Sequence, residues 1–327
     1  MTAKTIIRIQ VLIFLMTSLQ VFAQKPERYE GPIIDGHAHI AGDFKYDFVR
    51  RQNETLNISK MVVLPRLFQA ENSHGTTEEE ASRFAEEFKN TAWVTVALQR
   101  RDLYDMDWND PTEWFQEWLD WARKEIMSGR RRGLGELTAK HYAYTKSAFA
   151  ERDYPIDSKM VDALMKLSND TQRPFVLHAE GESHVVKAIR AQLKRHPKAI
   201  LVWAHACGRS SPTLVKEMLG AYANLFCDLS NMTDTGNYGS GWPRSGAWTY
   251  QWEVDGKIVP AWVEVMEQYP DRFYLGMDSN QFMGWVNKGR QSRFSRINRF
   301  RELLPQLSKE AIEQVTVKVA TKLYGDR

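Results

Sequence analysis

Five short segments carry side chains that could do chemistry together: Asp35-Gly36-His37-Ala38-His39, Gly135-Glu136, Leu177-His178-Ala179-Glu180, Ala204-His205-Ala206 and Gly276-Met277-Asp278. Each closes a short apolar run with the character of a strand. Residues i and i+2 of a strand project from one face, so His37 and His39 point together. Two imidazoles from one strand, with a third imidazole and a carboxylate from others, make an N/O donor set suited to a divalent cation such as zinc. Singly, each piece has an ordinary reading, as a hydrogen-bonded structural histidine or as an Asp capping the next helix. Together they recur at one structural position, and four of the eight histidines fall there.

To bring those ends together the chain must alternate strands with helices. Strands are expected at Pro32–His39, Ser59–Leu64, Ala92–Leu98, Arg132–Leu137, Pro174–His178, Ile200–His205, Leu225–Leu229 and Phe273–Asp278. Thr76/Thr77 with Glu79/Glu80 forms a capping signature for a helix through Lys89. Pro111 opens a helix whose Trp114, Phe115, Trp118, Trp121 and Ala122 recur at helical spacing, a stripe that packs on a sheet. Further helices are expected at Asp157–Asn169, Ser183–His196, from Ser211 to Gly220, up to Tyr269, and at Ser292–Leu304 and Ser308–Leu323. With no internal linker or low-complexity segment, this order predicts one α/β domain, a (β/α)8 TIM barrel over residues 24–327. Such barrels keep their chemistry at the carboxyl ends of the strands, where every candidate ligand lies. A doubly wound open sheet would leave the histidines of the outermost strands no reason to meet.

Residues 1–23 stand apart. Lys4 and Arg8 precede the apolar run Val11–Met16, and Val21-Phe22-Ala23 supplies small residues before Gln24. This pattern predicts a signal peptide cleaved after Ala23 and an exported protein, periplasmic or secreted, with no stable membrane association after cleavage. An uncleaved anchor is the competing reading, and the run is short for a span. Loss of Lys4 and Arg8 takes the formal charge from +3 to +1. A nearly neutral surface speaks against a nucleic-acid partner and leaves a small-molecule substrate. A homo-oligomer is compatible with the sequence. Cys207 and Cys227 lie near the ends of consecutive strands; a disulfide is open to them, with free, partly buried thiols the expectation.

The segments Asp35–His39, Leu177-His178-Ala179, Trp203-Ala204-His205-Ala206-Cys207-Gly208 and Gly276-Met277-Asp278-Ser279, with the ending Ala320–Gly325, resemble the amidohydrolase superfamily. The similarity is to its amidohydrolase-related group, which includes aminocarboxymuconate-semialdehyde decarboxylase. It implies His37, His39, His178 and Asp278 as metal ligands, with His205 hydrogen-bonded to bound water or a substrate oxygen. Glu136 stands where some members place a bridging Lys or Glu, and Gly133–Glu136 is also similar to TatD-type deoxyribonucleases, where that Glu ligates metal. One zinc is expected, with manganese or a second metal left open.

That resemblance implies hydrolysis of an ester, lactone or amide bond by metal-activated water. Asp278 would shuttle the proton, and His205 would steady the developing oxyanion, a contribution of roughly 3–4 kcal/mol for one good donor. Non-oxidative decarboxylation of a small carboxylic acid is the alternative, a TatD-like nuclease is a third reading, and a barrel that binds without catalysis is a fourth. Substrate contacts are expected from Arg66, Arg100 or Arg101 after strands two and three. An aromatic wall of Trp242, Trp248, Tyr250 and Trp252 would come from the long stretch 230–255. Amino-terminal sequencing of the exported protein is expected to begin at Gln24; retention of Met1 would overturn the cleaved leader.

Overall fold

A computed structural model describes residues 28–40, 45–67, 75–142, 151–232, 252–279 and 292–326. The expected leader and Trp242, Trp248 and Tyr250 lie outside these residues. Eight strands follow in order: β1 (Ile33–Ala38), β2 (Ile58–Val63), β3 (Ala92–Val94), β4 (Leu134–His141), β5 (Pro174–Ala179), β6 (Ile200–Trp203), β7 (Leu225–Asp228) and β8 (Phe273–Tyr274). Successive strands pair in parallel from β1 to β3 and from β4 to β8. Backbone bonds close both remaining seams. The Val96 amide donates to Gly133 O at 2.8 Å and the Gly135 amide to Val96 O at 3.0 Å. On the other side the Gly36 amide donates to Leu275 O at 2.8 Å, and the Asp278 amide to His37 O at 2.7 Å. The result is a closed (β/α)8 barrel. Helices cover the outside and side chains fill the inside, so β1, β4, β5 and β7 are buried at every position.

Around the barrel run α1 (Tyr46–Thr55), α2 (Glu78–Glu87), α3 (Glu113–Met127), α4 (Lys159–Thr171), α5 (Ser183–Arg195), α6 (Pro212–Ala221), α7 (Pro260–Gln268) and α8 (Arg293–Leu303). The capping box forms as expected: Thr77 Oγ1 accepts from the Glu80 amide, and the Glu80 carboxylate accepts from the Thr77 amide. Of the aromatic stripe of α3, Phe115, Trp118 and Ala122 are buried and Trp121 partly so, whereas Trp114 is exposed, at the outer edge of the packed face. The helix α1 has no counterpart in the sequence reading, because only Val49 and Asn53 of its ten residues are buried and no apolar stripe announces it. Among the described residues no helix is long and apolar enough to cross a membrane.

Four strand ends depart from expectation. The regular ladder of β3 stops at Val94 and that of β8 at Tyr274, and isolated bridges such as Val96 to Leu134 continue the pairing. Strand β4 runs on to His141 because Arg152–Asp153 pairs with it antiparallel. Strand β6 was expected to reach His205 but ends at Trp203, where the chain enters a left-handed turn. There φ is +58° at His205, +49° at Ala206, +57° at Cys207, +73° at Gly208 and +53° at Arg209. Left-handed backbone costs a non-glycine residue about 1–2 kcal/mol, so tertiary contacts must hold this turn. Gly208 is required on a second ground, since a Cβ there would lie 2.4 Å from Ala179 O.

The expectation of free thiols is overturned by one of those contacts. Cys207 and Cys227 form a disulfide, with their Cα atoms 5.1 Å apart. Trp203 lies opposite Cys227 in the β6–β7 ladder, and the turn folds Cys207 back over that neighbour.

Asp35, which opens the segment Asp35–His39, points away from the histidines into a buried ion pair. Its Oδ2 accepts from Arg293 Nε at 2.8 Å and its Oδ1 from the Met277 amide at 3.0 Å, tying β1 to α8 and to the segment after β8. Both partners of the ion pair are fully buried. Arg293→Met should therefore destabilise the fold by about 3–5 kcal/mol by leaving a buried, uncompensated carboxylate. Urea unfolding measures this, and Asp35→Asn combined with Arg293→Met should recover part of the loss.

Candidate metal centre

The six side chains read as ligands or catalytic groups meet at the carboxyl-terminal mouth of the barrel. His37 and His39 come from the end of β1, Glu136 from β4, His178 from β5, His205 from the left-handed turn, and Asp278 from the segment after β8. All six are buried. His37 Nε2 and His39 Nε2 are 3.2 Å apart, and Asp278 Oδ1 is 3.2 Å from His39 Nε2. Glu136 lies at the centre. Its Oε1 is 3.1 Å from His178 Nδ1, 3.5 Å from His205 Nε2 and 3.6 Å from His37 Nε2. Its Oε2 is 3.5 Å from His39 Nε2 and accepts from Gln99 Nε2 at 2.7 Å.

Each imidazole turns its other nitrogen to an acceptor in the barrel wall. His37 Nδ1 faces Asp228 Oδ2 at 3.0 Å, His39 Nδ1 faces Leu64 O at 2.7 Å, and His178 Nε2 faces Glu180 Oε1 at 3.3 Å. His205 Nδ1 lies 3.1 Å from Ser230 O. A carbonyl or carboxylate only accepts, so these nitrogens carry the protons. The inward nitrogens of His39 and His205 are then lone pairs. Burial agrees: it depresses His39 to about 4, with the Arg66 charge adding to the effect, and it lowers His205 together with Arg209 and His178. Burial would also lower His37, but Asp228 and Glu136 outweigh it and raise that group, leaving a proton that metal binding would release.

This donor set fits a cation on the structure's own terms. Lone pairs of imidazole and carboxylate face one another across 3–4 Å, and Asp278 Oδ1 is buried with no hydrogen bond of its own. Positive charge already stands among them. Arg66 Nη2 is 2.9 Å from His39 Nε2 and 3.7 Å from both Glu136 and Asp278. Two donor groups share the central carboxylate: His37 and His39 with Glu136, and His178 and His205 with Glu136. Asp278 adjoins the first. His205 was expected to bind water and instead stands among the donors of the second group, which could hold a cation.

Of the expected substrate contacts, Arg66 is in the site and Arg100 is not. Arg100 donates to Asp102 at 2.9 Å, approaches Glu78 at 3.6 Å and lies over the Trp114 ring, because the chain turns into the helical turn Arg101–Tyr104 directly after it. Arg101 is exposed. Trp252 is no wall either, being buried in the core against Phe300. Trp242 lies outside the described residues. Sequence reasoning missed Asp228, Ser230 and Arg209, and gave Glu180 no role although it closes the His178 segment. The signals were faint: Glu180 shares a strand face with His178 at i+2, and Asp228 ends β7.

No family model and no curated protein matches the chain. Among solved structures it is similar to an uncharacterised TIM-barrel protein from Bordetella bronchiseptica, with a TM-score of 0.59 and 11% identity over 89% of this chain and 98% of that one. It is also similar to an amidohydrolase from Burkholderia multivorans with bound Hepes, at 0.52 and 13% over 91% and 100%. A dihydroxybenzoic acid decarboxylase from Polaromonas with bound manganese and an inhibitor matches at 0.52 and 9% over 90% and 96%. The chain shares their barrel fold. Within the shared barrel this chain sets its own donors at the mouth. Because Asp228 orients His37, Asp228→Asn should weaken a cation at the first group by about 10- to 100-fold. Competition with a chelator reads the change; unaltered affinity would remove Asp228 from the centre.

Proposed function

We propose that this barrel is a metal-dependent hydrolase that cleaves an ester, lactone or amide bond of a small molecule. The observation that carries the reading is Glu136 shared between two donor groups at the carboxyl-terminal mouth. His37, His39 and Asp278 would hold one divalent cation, His178 and His205 a second, with Glu136 between them. Imidazole and carboxylate donors suit zinc or manganese. A bound divalent cation supplies Lewis acidity and lowers the pKa of water from about 16 toward about 7.

The chain's own groups do the rest. Asp278 Oδ1, buried and without a hydrogen bond, is placed to take a proton from the attacking water and return it to the leaving oxygen or nitrogen. Its pKa is well below the ordinary carboxylate range; burial raises it, and His39, His205 and His37 more than reverse that, so it starts as a base. Arg66 stands beside it and could hold an anionic oxygen of the substrate. The site's polar walls exclude bulk water, since its ligands are almost wholly inaccessible to solvent.

Non-oxidative decarboxylation is the second reading, supported by the barrel's likeness to the manganese-bound decarboxylase. A nuclease is disfavoured by the near-neutral net charge, +1 once the expected leader is removed. We place the protein outside the cytoplasm. The leader motif and the disulfide both support that location. Lactones, esters, amides and aryl carboxylates assayed with zinc or manganese in ¹⁸O-water test the reaction. Incorporation of one solvent oxygen into a carboxylate product is expected, with a loss of about 100-fold or more in Asp278→Asn. Carbon dioxide release without that incorporation would overturn hydrolysis in favour of decarboxylation.

A further inference from the structure

The two donor groups are anchored in different ways. His37 stands on β1 and His39 directly after it, and the Asp278 amide donates to His37 O, so the first group rests on barrel backbone. The second group depends on one irregular element. The left-handed turn Ala204–Arg209 carries His205 itself, and its last residue, Arg209, donates through Nη1 to Glu180 Oε1 at 2.6 Å. The same oxygen faces His178 Nε2 at 3.3 Å. Arg209 therefore holds the carboxylate that holds the ring, and the ring so held presents Nδ1 to Glu136 and to His205 Nε2, 2.9 Å away.

What keeps the turn in place is local and countable. The Cys207–Cys227 disulfide joins it to β7, one residue before Asp228. The His205 amide donates to Asp228 Oδ1 at 3.1 Å, and the Gly181 amide donates to Gly208 O at 2.9 Å. Both cysteines are fully buried, so the bond lies inside the wall that supports the site.

We propose that the left-handed turn, clamped by Cys207–Cys227, controls occupancy of the His178/His205 half of the centre, with Arg209 a positioning residue acting through Glu180. This rests on the two-cation reading above. Glu136 is common to both halves and Ser230 Oγ lies 3.3 Å from His37 Nδ1 and 2.8 Å from His205 Nδ1, but the rings of His37 and His39 are held from outside the turn, by Asp228 and the Leu64 carbonyl, and the Ser230 amide also holds Asp228 at 2.9 Å. Disturbing the turn should therefore empty one half and leave the other filled, an outcome that general destabilisation would not produce.

The test is titration of the chelator-stripped full chain with zinc chloride alone, followed calorimetrically, with elemental analysis of the gel-filtered product. The native chain should take up two zinc ions. Arg209→Met, and separately Cys207→Ala with Cys227→Ala, should each weaken the second ion at least tenfold or abolish it while the first keeps its native affinity. Adding Glu180→Gln to Arg209→Met should cause little further loss, because both act on one ring. If the cysteine pair variant does not fold, Arg209→Met decides alone. Native affinity for both ions in the folded variants, or parallel loss of both, overturns the proposal. Uptake of fewer than two ions by the native chain overturns the two-cation reading itself, and this proposal with it.

Discussion

The structure turns on the electrostatics of one buried carboxylate. Glu136 lies within 3.1–3.6 Å of nitrogens from four imidazoles, far from bulk water. Burial raises the pKa of such a group; here the surrounding histidines, His37 foremost, outweigh burial and hold it ionised. A charge in that position is tolerable only if positive groups or a cation compensate it. Arg66 and the proton on His37 do so in the chain alone, and both can give way to a divalent ion.

Around that centre the barrel wall works as a set of ring holders. Asp228, the Leu64 carbonyl, Glu180 and Ser230 each take the outer nitrogen of one histidine. A ligand ring whose outer nitrogen is engaged cannot swing, and its inward lone pair stays aimed. The holders come from the ends of β2, β5 and β7, so the barrel's closure sets their relative positions. Asp35 and Arg293 serve the same end at the β8–β1 seam, where an imprecise join would misplace Asp278 relative to His37 and His39.

The turn after β6 leaves ladder geometry altogether. Four of its five left-handed residues have side chains, an unfavourable arrangement that persists because the disulfide, Gly208 and the surrounding backbone bonds impose it. It reverses the chain within a few residues and so delivers His205 and Arg209 to neighbouring points of one site. A continued strand would have carried them apart at more than 3 Å per residue.

Much of this was legible in the sequence. The alternation of apolar runs with amphipathic stretches specifies the barrel order, and period-two spacing puts His37 and His39 on one face. Strand ends carrying His178, His205, Glu136 and Asp278 point to the mouth, because a barrel brings such ends together. Other features depend on distances between residues far apart in the chain, which spacing does not encode. Arg66 enters the site and Arg100 leaves it although both follow strands, because the next few residues decide where a long side chain reaches. Asp228 and Arg209 gain their roles only when β7 and the left-handed turn are folded against β1 and β5. The bond between Cys207 and Cys227 likewise needed a turn that local propensity opposes and that only tertiary contacts enforce.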